Sequence, residues 1–197
     1  MRWIAVFLTL VVGIAAADVG PDGIYSGSYA GGGPFVRYYF YDLADVSSSF
    51  GGRFLVLGGR GFGAVNGWLR VGGCGGGSVA VLGEVDEENN NSGFGFGGVT
   101  VEPFLAPADW IVISVPILLG GGGYGFRHLV EEYPDHEYRY EMYESGFWLV
   151  EPSIEVMFKL MPFMAVGLQG GYSLFLNGDE VFDGSAFVGL GIYFGMP

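Results

Sequence analysis

The chain has 197 residues, 38 of them glycine, and carries 21 acidic against 8 basic side chains, a formal charge of −13. Glycine lies far above its usual share of roughly 7%, while half of the residues are hydrophobic and 17% are aromatic. A chain of this charge does not grip nucleic acid through a basic surface, its apolar content excludes disorder, and its glycines keep no collagen period.

Residues 1–17 read as a secretory signal peptide. Arg2 gives the positive start, Trp3 to Ile14 is an almost unbroken apolar run, and Ala15-Ala16-Ala17 supplies the small residues before a cleavage point. An uncleaved anchor is the alternative, although the run is short for a span of roughly 20 residues. The expected mature chain, residues 18–197, is one domain.

From there the chain alternates with period two, the signature of strands whose two faces differ. The expected strands are 35–41, with a candidate before it at 24–29, then 53–65, 68–81, 93–105, 110–124, 147–160, 163–176 and 185–194. A short helical turn is a candidate at 42–50. The last three strands are the clearest. In 185–194, Ala186, Val188, Leu190, Ile192 and Phe194 share one face; in 163–176, Met164, Val166 and Leu168 oppose Ala165, Gly167 and Gln169. Strand 147–160 sets Val150, Ile154, Val156 and Phe158 against Glu151, Glu155 and Lys159. The stretch 53–81 has no clean apolar face, and its many glycines weaken it as a strand.

The connections alternate in length. Asn66-Gly67, a strong hairpin signal, Pro107-Ala108-Asp109 and Pro162 are short. Residues 83–92, 126–146 and 177–184 form longer polar loops. An up-and-down antiparallel sheet produces this asymmetry. An internal echo supports one repeated hairpin sheet: Val101-Glu102-Pro103 and Val150-Glu151-Pro152 each lead through a turn to an apolar strand and a Gly-Gly-Tyr.

With its export signal, ten-residue strands, alternating turns and loops, acidic charge and alternating last strand, the mature chain resembles the small bacterial outer-membrane β-barrels. The resemblance implies an all-β, up-and-down antiparallel barrel of about eight strands, transmembrane, in the bacterial outer membrane. Its partners would be membrane lipid and the barrel-assembly machinery, and its role structural, adhesive or porin-like passage of small solutes. Hydrocarbon demands a closed barrel with an apolar exterior and permits a polar interior. Arg53, Arg60, Arg70, Glu102, Glu151, Glu155 and Lys159 are therefore expected to form a lumenal charge network. Trp68, Trp110, Phe147 and Trp148 lie at strand ends, where headgroup-level aromatics are expected. The alternative is a soluble, periplasmic or secreted Gly-rich β-protein with a dry apolar core that binds a ligand or partner.

Other chemistry is sparse. His128 and His136 lie in the long loop with Tyr133, Tyr138 and Tyr140, a candidate contact surface. Their spacing matches no standard metal site, so no metal or other cofactor is expected. No G-x-S-x-G elbow is present, no helix pattern follows the glycines at 120–125 to make a phosphate cradle, and the chain is expected not to be an enzyme. Cys74, the lone cysteine, is expected to be a small strand residue. Oligomeric state stays open.

Overall fold

The structure, a computed structural model, describes residues 29–40, 53–82, 93–132, 138–176 and 184–195. The expected signal peptide, the candidate helical turn at 42–50 and nearly all of the candidate strand at 24–29 lie outside those residues. Among the described residues nine strands form: β1 (Ala30–Tyr39), β2 (Arg53–Asn66), β3 (Leu69–Leu82), β4 (Gly93–Ala108), β5 (Ile111–Ser114), β6 (Ile117–Glu132), β7 (Tyr138–Met161), β8 (Met164–Leu176) and β9 (Ser185–Phe194).

Every pairing is antiparallel, consecutive strands pair except β5 and β6, which both lie between β4 and β7, and β9 returns to β1 through Gly32↔Phe194 and Tyr39↔Phe187. The sheet is thus a closed barrel. Strands β5 and β6 make one stave, since both lie between β4 and β7 in unbroken register: Leu105↔Ile113 continues into Val101↔Ile117. Pro116 interrupts the stave because it has no N–H to give to the ladder. Its carbonyl still accepts the Ser153 N–H at 2.9 Å, and the Val115 N–H reaches the Pro103 carbonyl at 2.9 Å. The barrel therefore has eight staves.

The alternation read from the sequence runs around the wall. On β8, Ala165, Gly167, Gln169, Ser173 and Phe175 are buried, while Leu168, Tyr172 and Leu176 are exposed. The ambiguous strand β2 resolves as Phe54, Val56, Arg60, Phe62 and Ala64 inward and Leu57 and Val65 outward. Inward glycines leave space for large neighbours: a Cβ on Gly58 would run into the Phe35 ring and the Gly75 carbonyl.

Two strand bounds differ from expectation. Strand β1 begins at Ala30, because its three glycines and Pro34 continue the ladder to β2 in the register Gly31↔Phe62 to Pro34↔Gly59. The expected loop 126–146 is largely a hairpin ribbon: β6 runs on to Glu132 and β7 starts at Tyr138, with pairs Phe126↔Tyr143, His128↔Glu141 and Glu132↔Tyr138. On its other side β7 joins β8 only from Trp148↔Leu176 onward. Among the described residues, 138–143 thus lie beyond the last pairs that β4 (Gly93↔Gly125) and β8 (Trp148↔Leu176) make with the hairpin, an overhang of roughly 20 Å at about 3.3 Å per residue.

Candidate functional site: the barrel lumen

Inward side chains sort into three layers. Toward the long-loop end lies an aromatic-rich layer of Phe35, Tyr39, Phe54, Phe96, Tyr124, Phe147, Phe175 and Phe187, with Val56, Cys74, Leu118 and Leu149. Toward the short-turn end lie Phe62, Phe104, Val112, Met157, Ala165 and Tyr193. Between them is a polar waist. Single staves show the order directly: β4 passes inward from Phe96 through Thr100 and Glu102 to Phe104, and β7 from Leu149 through Glu151, Ser153 and Glu155 to Met157.

Three arginine–glutamate pairs fill the waist. Arg37 Nη1 meets Glu151 Oε1 at 2.7 Å, Arg60 Nη2 meets Glu155 Oε2 at 2.6 Å, and Arg70 Nη1 meets Glu102 Oε1 at 2.8 Å. All six side chains are buried. Two unpaired charges could not stay in such an interior; paired and hydrogen-bonded ones can.

Neutral groups take up further bonding capacity. Tyr39 and Ser173 donate to Glu151 Oε2 at 3.0 and 2.6 Å, and Tyr193 donates to Glu155 Oε1 at 2.7 Å. Arg37 also donates to Gln169 Oε1 at 3.0 Å, and Gln169 Nε2 to Ser153 Oγ at 2.8 Å. Arg70 Nε donates to the Tyr29 hydroxyl at 2.7 Å. Each guanidinium also lies over aromatic faces: Arg37 is 4.3 Å from the Phe35 centroid, Arg60 4.6 Å from Tyr193 and Arg70 4.4 Å from Phe104. Such contacts help to hold a cation away from bulk solvent.

The structure brings together five of the seven residues expected in the lumen: Arg60, Arg70, Glu102, Glu151 and Glu155. Lys159 follows on the same face of β7, half-buried nearer the turn, with its backbone N–H on the Trp110 carbonyl at 2.9 Å. The Arg53 backbone pairs with Leu82, but its side chain lies outside the described residues. Arg37 is the residue sequence reasoning missed. In Phe35 to Phe40 both faces carry aromatics, so alternation does not say which is inward. The count of charges gave no signal either, since Arg53, Arg60, Arg70 and Lys159 already outnumbered the three inward acids.

Trp68, Trp110 and Trp148 are exposed on the outer wall, Trp148 most of all. Phe147 corrects the expectation of an interfacial ring. It is buried against Phe175, 5.0 Å between centroids, because alternation turns it inward where Trp148 points out. Trp110 stacks on Phe158 at 6.2 Å. Trp148 and Phe158 are ten residues apart on β7; at the usual tilt this is roughly 25 Å along the barrel axis, the height of a lipid-facing band. Between such aromatics the wall exposes Leu57, Val71, Val99, Leu119, Ile154, Leu168, Val188 and Leu190.

Charges inside and aliphatics outside invert the pattern of a soluble β-protein, which buries its apolar face. The interior is apolar toward both ends but ionic at its waist, unlike the wholly apolar core that the soluble alternative requires. Of the candidate loop surface, His128, Tyr138 and Tyr140 have their backbones in the ribbon strands, and their side chains lie outside the described residues, as do Tyr133 and His136 altogether.

No protein-family model matches the chain, and a search of curated proteins finds no match. Among solved structures, it is similar to the N-terminal β-barrel domain of Pseudomonas aeruginosa OprF, with a TM-score of 0.54 and 10% identity over 87% of this chain and 98% of that one. The chain has the fold of a bacterial outer-membrane β-barrel. Two further similar structures score lower. The attachment invasion locus protein Ail of Yersinia pestis gives 0.47, with 15% identity over 86% of this chain and 100% of that one. The Escherichia coli outer membrane protease OmpT gives 0.40, with 10% identity over 86% and 96%.

Proposed function

We propose that this chain is an integral barrel of the bacterial outer membrane, sealed along its lumen, whose role is structural or adhesive: it anchors the β6–β7 ribbon in the bilayer and holds it clear of the surface. The layering of the lumen carries the proposal. An aromatic layer stands above the ionic waist and an apolar layer below it, and the three ion pairs cancel, so no file of solvated charge links the two ends. The lipid-facing belt supports membrane lipid as the surrounding partner. The apolar outer face of β9, ending in Phe194, supports insertion by a barrel-assembly machinery after export on a signal at residues 1–17.

The deciding experiment refolds residues 18–197 in detergent micelles and compares boiled with unboiled electrophoretic migration. The protein is then reconstituted in liposomes for conductance. A band that shifts only on boiling, with conductance equal to empty liposomes, is the expected result. Steady conductance would replace the sealed barrel by one that passes small solutes, and folding in plain buffer without detergent would remove the membrane assignment.

A further inference from the structure

Four waist side chains keep polar atoms that no protein atom satisfies: Arg60 through Nε and Nη1, Thr100 through Oγ1, Glu102 through Oε2 and Ser114 through Oγ. All four are at least nine-tenths buried. A fifth such group, Arg37 Nε, lies on β1 beside the Glu151 pair.

The four lie in sequence along one part of the lumen, with Arg60 and Glu102 in the middle, Thr100 toward the long-loop end and Ser114 toward the short-turn end. Thr100 and Glu102 are successive inward positions of β4. Ser114 is inward on the adjoining stave, opposite Phe104 on β4 and Glu155 on β7. Arg60 crosses from β2 to Glu155, which leaves its Nη1 at 3.8 Å from Glu102 Oε2. That separation is too long for a direct hydrogen bond, yet each of these two atoms lies within reach of a molecule bonded to both. The wall around Thr100 is bare, since its partner on β3 is Gly72 and the next inward positions are Gly98 and Gly120.

We propose that the waist is a hydration site, in which one bound water bridges Arg60 Nη1 to Glu102 Oε2 and further bound waters continue from it to Thr100 on one side and to Ser114 on the other. Water matches the set of groups: it accepts from the guanidinium, donates to the carboxylate, and does either with a hydroxyl. Interiors satisfy stranded polar groups in this way when two to four converge. The ligand is neutral because the waist is neutral; an ion would add an unpaired charge to three arginines and three glutamates that already cancel. The site stands on the lumen geometry alone and does not depend on whether the barrel seals or conducts.

The test uses residues 18–197 refolded in detergent micelles with arginine labelled by ¹⁵N. Cross-relaxation between water and the Arg60 side-chain protons is recorded, with the signals assigned through Arg60→Lys. The expected result is a water cross-peak to Arg60 that is lost or weakened in Thr100→Val/Ser114→Ala, accompanied by a lower temperature for the boiling shift. Absence of any water cross-peak to Arg60 in the unmodified chain overturns the proposal. A double variant at least as heat-stable as its parent also overturns it, since removing stranded hydroxyls from a dry lumen relieves a cost. Should the double variant fail to refold, the cross-peak of the unmodified chain decides alone.

Discussion

Arg60 on β2 spans the lumen to Glu155 on β7, Nη2 to Oε2 at 2.6 Å, although the two are 95 residues apart in sequence. The pair ties opposite walls of the barrel, and Tyr193 on β9 holds the second oxygen of the same carboxylate. Breaking one side strands a buried charge, which typically costs about 3–5 kcal/mol. Arg60→Met is therefore expected to lower barrel stability by about that amount. The double variant Arg60→Met/Glu155→Leu is expected to recover most of the loss, because no charge is left without a partner. Urea unfolding in detergent, followed by tryptophan fluorescence, checks both.

The glycines divide into those that must be glycine and those that need not be. At Gly58 a Cβ would strike the Phe35 ring and the Gly75 backbone, whereas a Cβ at Gly61 meets nothing within 4 Å. Gly58→Ala is expected to destabilise the barrel by about 1–3 kcal/mol through overpacking. Gly61→Ala is expected to be neutral or slightly stabilising. Thermal midpoints of the boiling shift for the two variants give the comparison.

The outer belt makes a prediction that separates lipid from water. Leu168 is exposed near the middle of β8 and faces Leu190 across the ladder. Leu168→Arg puts a charge on the lipid face between mid-depth and the Phe158 edge of the belt, with an expected cost of about 1–2 kcal/mol. Folding yield into phospholipid vesicles should fall accordingly. An unchanged yield would mean that this face meets water.

Three tryptophans lie beyond residue 17, and all are exposed, Trp68 and Trp110 in the turns before β3 and β5 and Trp148 within β7 where its described pairing with β8 begins. Single-tryptophan variants in vesicles should be quenched more strongly by lipids brominated near the carbonyl groups than by lipids brominated at the chain ends. Deep quenching of Trp148 would move the boundary of the belt.

Sequence reasoning recovered strands best where inward and outward demands differ most. Strands β8 and β9 carry aliphatics on one face and small or polar residues on the other, so their faces were legible residue by residue. Around Arg37 the signal failed because Phe35 and Tyr39 inside are chemically like Tyr38 and Phe40 outside, and the lumen accepts rings as readily as lipid does. Phe147 failed for the same reason: it and Trp148 are adjacent aromatics on opposite faces, and only the register separates them. The ribbon was hidden because charged residues are dense along it, from Arg127 to Glu144, and the segment was read by its polarity as a loop. Its pairing continues from the barrel ladder, helped by tyrosines that favour extended backbone, and leaves no apolar stripe to read. The partners of the expected acids could not be assigned in advance, since a lumen joins staves far apart in the chain.

The lumenal ion pairs also act as a check on assembly. If β2 slid by one residue against β3, every side chain on it would change face. Arg60 would enter hydrocarbon, where an arginine costs about 2–4 kcal/mol at mid-depth, and Glu155 would keep its burial without its cation. With three such pairs distributed over β1, β2, β3, β4 and β7, a single slipped stave is penalised twice, once on each side of the wall. The glycine-rich strands, which have little side-chain relief of their own to fix an alignment, thereby receive it from the charges they enclose.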